Sequence, residues 1–166
     1  MHRYMMIIFI LFGSLPLKAQ HGSHEGDDEF HRCFLPERSW SVASGFAYSL
    51  PEQAAGINAR LYYNLGHRLC FGPELSYLSR PHLSITEINF VGHYIFETPL
   101  TGIYPLLGGN YTHEIHHGHA EEAFGVVLGG GLHRNFNRWT VFGEYAHVQG
   151  AIPDDFITIG FMFTFL

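Results

Sequence analysis

From Ser39 onward the chain alternates large apolar side chains with small or polar ones, and turn residues break the alternation into short segments. The clearest segment runs from Gly56 to Leu65: Ile57, Ala59, Leu61, Tyr63 and Leu65 face one way, and Asn58, Arg60, Tyr62 and Asn64 the other. Trp40, Val42, Phe46 and Tyr48 oppose Ser41, Ala43, Gly45, Ala47 and Ser49 in the same manner. Ile88, Phe90, Tyr94 and Phe96 oppose Glu87, Asn89 and His93. The spacing predicts eight strands, at Ser39 to Leu50, Gly56 to Leu65, Arg68 to Ser79, Ser84 to Glu97, Leu100 to His113, Glu122 to Arg134, Arg138 to Val148 and Asp155 to Phe165.

Composition decides which face is wet. Charged residues are 14% of the chain, aromatics reach 16% and glycine counts 19, against about 25% charge in a typical soluble domain. That is too little charge to coat a water-facing surface. After the first twenty residues no segment approaches the roughly 20 consecutive apolar residues of a spanning helix. A β-barrel closed within lipid satisfies both facts, because only alternate residues need be apolar and no strand edge is left unpaired. The expected fold is therefore all-β, an eight-stranded antiparallel up-and-down transmembrane barrel over residues 39–166.

Ahead of it, residues 1–20 read as a secretory signal peptide: Arg3, the apolar run Met5 to Phe12, and Ala19 at the cut. Residues 21–38 read as an acidic, His-containing tail. The competing architecture is a soluble lipocalin-like barrel with its apolar face inward. Its wet face should be rich in Lys and Glu, yet the polar faces carry about one charge per strand, Arg60, Glu74, Glu87 and Glu144. Isolated charges of opposite sign fit a buried lumen network, where each must find a partner. Glu144 is expected to choose the lumen and take Phe142 with it.

Connections two, four and six (Gly66-His67, Thr98-Pro99 and Asn135 to Asn137) read as short. Connections one, three, five and seven (Pro51 to Ala55, Arg80 to Leu83, Glu114 to Glu121 and Gln149 to Asp154) read as longer. Such an asymmetry marks outer-membrane barrels. Pro73 and Pro105 fall inside strands, where each removes a ladder donor and calls for a bulge or a strand end.

The pattern over residues 39–166 resembles the small eight-stranded outer-membrane barrels such as the OmpA transmembrane domain. Its last strand is similar to the signal that the barrel-assembly machinery reads in that family, with Thr158, Gly160, Phe163 and Phe165 at the matching positions and Leu166 departing from the usual aromatic end. The resemblance implies a Gram-negative outer membrane with both termini periplasmic, contacts with outer-membrane lipid and the assembly machinery, no nucleic-acid partner, and a monomer. It implies no catalytic residue by itself. The lipid A deacylases of similar topology place a histidine two residues before a nucleophilic serine. Here His147 is followed by Gln149, which cannot form an acyl-enzyme.

Two sets of side chains remain to be placed. His113, His116, His117 and His119 crowd the fifth connection beside Glu114, Glu121 and Glu122, and neutral imidazoles are ligands for zinc, copper or nickel. The plain alternative is a solvated loop. Cys33 and Cys70 are the only cysteines; in an exported chain they are either bonded across the barrel rim or two separate thiols.

Overall fold

The computed structural model describes residues 35–98, 101–136 and 138–165. The expected signal peptide over residues 1–20, residues 21–34 with Cys33, and Leu166 lie outside the described residues. The strands are β1 (Ser39–Ser49), β2 (Ala55–Asn64), β3 (Leu69–Arg80), β4 (Leu83–Tyr94, continued by Phe96–Glu97), β5 (Gly102–His116), β6 (His119–Phe136), β7 (Trp139–Gly150) and β8 (Asp154–Phe165). Each pairs antiparallel with its neighbours in sequence, and β1 pairs with β8 from Trp40↔Phe165 to Ser49↔Phe156, which closes the ring.

The faces fall as the alternation predicts. Phe46, Ile57 and Phe161 are 59%, 68% and 61% exposed on the outside, whereas Ser41, Asn58, Arg60, Glu87 and Glu144 are buried within. This is the reverse of a lipocalin, whose core face is apolar. Aromatic rings gather where the outer face begins and ends: Trp40 against Tyr63 and Trp139 against Phe163 at the end holding both termini of the barrel, and Tyr111 against Phe124 at the other. Amphipathic rings take such places at the two interfaces of a bilayer.

Two expectations fail in instructive ways. Pro73 and Pro105 bring no bulge. The β2–β3 register is the same on both sides of Pro73, from Arg60↔Glu74 to Tyr63↔Phe71. The β4–β5 register is likewise unchanged across Pro105, from His93↔Leu106 to Phe96↔Ile103. Each proline omits rungs without shifting the strand, and on the other side of β4 the amide of Ile95 donates to the Arg68 carbonyl at 2.7 Å, which carries the β3–β4 register one residue further. The connections also fail to divide into short and long. β3 passes into β4 through residues 81–82, and β5 into β6 through residues 117–118. The polar residues expected to form a long fifth loop continue the β5–β6 ladder to His116↔His119. Two residues then turn the chain, His117 at φ 50° and Gly118 at φ 84°, the paired positive values of a hairpin turn matched to strand twist. The asymmetry lies in the strands: residues 119–124 of β6 pair with β5 beyond the last β7 partner, Gly125↔Gly150.

Gly160 has a packing role in the closing strand. A side chain there would place its first carbon 2.7 Å from the Phe142 ring and 2.8 Å from the Gly45 backbone. Only glycine lets β8 approach β1 while Phe142 turns into the lumen.

Candidate functional site

The lumen is closed at mid-height by a charged plug. Arg60 on β2 points inward, and its guanidinium donates to both oxygens of Glu144 on β7 at 2.8 and 2.9 Å. The same group stands 3.3 Å from Glu74, its cross-strand partner on β3. Its Nε donates to Asn58. Tyr62 donates its hydroxyl proton to Glu74, and Tyr104 donates to Glu144 at 3.0 Å. The Phe142 ring lies 4.6 Å from the guanidinium carbon, so an apolar face covers the cation where no acceptor does. A two-point Arg–carboxylate contact fixes orientation as well as charge. The cavity left beside it measures about 20 Å³ and is lined by Leu35, Tyr62, Cys70, His93, Tyr104 and Phe142, among others. That is room for about one water molecule.

Glu74, His93 and Glu144 also bring three ligand-type atoms within 4.8 Å of one another, and buried His93 Nε2 has no hydrogen-bond partner among the described residues. Yet the Arg60 guanidinium already touches both carboxylates, so it fills the place a cation would take. Glu87, grouped with these charges in the sequence, belongs to a separate cluster. It accepts from Thr112 at 3.3 Å and from Asn110 at 3.4 Å, higher in the barrel.

The second candidate site is the crest formed by the β3–β4 and β5–β6 hairpins. Alternation splits the predicted histidine set. His113 lies on the outer face, 3.3 Å from Glu122, while His116 faces His119 across the ladder on the opposite side. His117 in the turn packs on His116, with ring centroids 4.7 Å apart. It stacks on His82 from the other hairpin at 5.2 Å and 10° between planes. His82 was not foreseen, because only the Leu83↔His116 register brings it there.

On the outer rim, His147 Nδ1 lies 2.9 Å from Asp155, which also accepts from Tyr145 at 2.6 Å. This resembles the orienting half of a hydrolytic triad, but Gln149, next on the same face of β7, supplies no nucleophile. Thr158 and Gly160 face the lumen side of β8 and Phe163 and Phe165 the outside, with Phe163 against Trp139 at 5.0 Å. His93 and Tyr104 were the lumen residues most easily missed. Tyr104 adjoins Pro105 in a strand whose faces read poorly, and the ring of His93 was legible only as one polar position among several.

No protein-family model and no curated protein matches the sequence. Solved structures do. The N-terminal β-barrel domain of Pseudomonas aeruginosa OprF superposes with a TM-score of 0.67 at 13% identity, covering 78% of this chain and 98% of that one. Ail, the attachment invasion locus protein of Yersinia pestis, gives 0.57 at 15% identity over 78% of this chain and all of its own. The de novo designed TMB2.3 gives 0.53 at 14% identity, over 77% and 94% of the two chains. The chain has the fold of the small eight-stranded outer-membrane β-barrels.

Proposed function

We propose that this protein is a non-conducting surface barrel of a Gram-negative outer membrane, with both termini in the periplasm and the hairpin crest outside, and that it acts through its crest rather than through a pore or a catalytic centre. The observation carrying this reading is the plug: Arg60, Glu74, Glu144, Tyr62, Tyr104 and Phe142 fill the lumen at mid-height, and the cavity beside them holds only about 20 Å³, far below what a hydrated solute requires. An eight-stranded barrel is narrow enough for side chains to fill, and here they do so with mutually satisfied charges. Orientation follows from the even strand number, which puts both termini on one side, and from the tall hairpins on the other. The outward apolar belt contacts lipid, and β8 with Thr158, Gly160, Phe163 and Phe165 is the segment offered to the assembly machinery. The barrel works as a monomer, since the β1–β8 seam leaves no open side.

Planar-bilayer recording tests the reading. The purified barrel should give no stable conductance steps on the scale of a general porin, and such steps would overturn it. Incubation with lipopolysaccharide should release no fatty acid, because His147 and Asp155 lack a nucleophile between them.

A further inference from the structure

We propose that the crest is a binding site for one divalent transition-metal ion of the zinc, nickel or copper(II) class, held by His82, His116 and His117 across two hairpins. From the preceding section this takes only that the crest stands clear of the bilayer in water.

The main chain assembles the three residues. The His117 amide donates to the His82 carbonyl at 2.9 Å, so the two turns are tied together rather than moving as separate loops. Both residues sit in the left-handed region, His82 at φ 67° after Pro81 and His117 at φ 50° before Gly118. Their positions are therefore set by turn geometry. The rings follow, with His82 on His117 at 5.2 Å and His117 on His116 at 4.7 Å. A tetrahedral ion with bonds of about 2.0–2.1 Å to nitrogen needs its donors roughly 3.3 Å apart. All three side chains are exposed, and rotation about their side-chain bonds turns the nitrogens toward one ion. An open groove of about 450 Å³ on the outer face borders His82 and His117 and gives those two rings space to turn.

The surrounding charge favours a cation. Glu114 and Glu121 are direct cross-strand partners one rung pair below His116 and His119, on the same face. Like charges placed so oppose each other, and an ion above them relieves the repulsion. The nearby cation, Arg80, is already engaged by Glu52 at 3.0 Å. Three imidazoles select the borderline metals over magnesium or calcium, which prefer oxygen. His113 is excluded from the site, because it lies on the opposite face beside Glu122.

Calorimetric titration of the full chain in detergent with zinc chloride or nickel chloride, with magnesium chloride as control, tests this. The background chain carries His21, His24 and His31 changed to alanine, which silences the tail. It should bind one equivalent of zinc or nickel and no magnesium. Adding His82→Asn or His117→Asn should weaken binding at least about tenfold, as even lost supporting contacts do at metal sites. Asparagine tolerates a left-handed φ, so both turns should persist; a gel shift on boiling confirms a folded barrel. Adding His113→Asn should change nothing. No binding by the tail-silenced chain, full binding by both folded asparagine variants, or an equal loss with His113→Asn would each overturn the proposal. A closed barrel that binds no metal fails only here, and a conducting barrel that binds metal fails only in the bilayer recording.

Discussion

Replacing Arg60 by methionine should be the most damaging single change in the lumen, and the size of the effect follows from counting charges. The plug sets one guanidinium against two carboxylates, with side chains of Arg60 and Glu144 only 2% exposed and Glu74 6%. Arg60→Met fills similar volume but leaves Glu74 and Glu144 facing each other with no cation and removes both bonds to Glu144. Stripping one partner from a buried ion pair costs about 3–5 kcal/mol. Glu144→Gln keeps a carbonyl acceptor and still leaves Arg60 with Glu74 at 3.3 Å, so its cost should be that of a charged hydrogen bond, about 1.5–3 kcal/mol. Glu74→Gln removes the longer contact and leaves one cation against one carboxylate, for a loss of about 1 kcal/mol. The assay is urea unfolding in phospholipid vesicles, with the folded fraction read from gel migration without boiling. The expected midpoints fall in the order wild type, Glu74→Gln, Glu144→Gln, Arg60→Met, with the denaturant slope unchanged. Wild-type stability of Arg60→Met, or a Glu144→Gln loss equal to it, would refute the reasoning.

Other changes probe the frame. Gly160→Val forces its side chain against Phe142 and the Gly45 backbone and should lower stability by about 1–3 kcal/mol, read as a smaller heat-shifted fraction after refolding. Gly118→Ala meets no neighbour within 4 Å, but φ is 84°; it should destabilise by about 1–2 kcal/mol through backbone conformation alone, measured by the same urea midpoint. Cys70 is a free thiol buried beside Leu35 in the lumen cavity. Alkylation in denaturant without reductant should therefore label Cys70, and labelling only after reductant is added would show a disulfide to Cys33 instead.

Much of this architecture was legible in the alternation, for a physical reason. Where lipid lies outside and a narrow lumen inside, a misplaced charge is costly, so residue type reports orientation. Glu144 carried Phe142 inward as its chemistry required, and Arg60 found the carboxylates its isolation implied. Above the bilayer that constraint lapses. His113, Glu114, His116 and Glu121 are polar on both faces of a paired hairpin, and polar alternation without an apolar side looks the same as a loop. Pairing in that region is decided by backbone ladders and by the turn at Gly118, neither of which hydropathy records. The meeting of His82 with His117 was hidden for a further reason: it depends on the register between two strands, which no local pattern encodes.

The zipping of the crest also determines how the chain meets a protease. Cleavage requires several residues drawn out into an enzyme's cleft, and a segment releases them only as often as it locally unfolds. The ladder runs unbroken from Arg80↔Leu83 through Leu83↔His116 to His116↔His119, so the most prominent part of the molecule has little slack to yield. Among the described connections on that side, the one over residues 50–54 is five residues long against two in each crest turn; the first nick there should fall in it, and the tallest feature of the surface should be among the last to be cut.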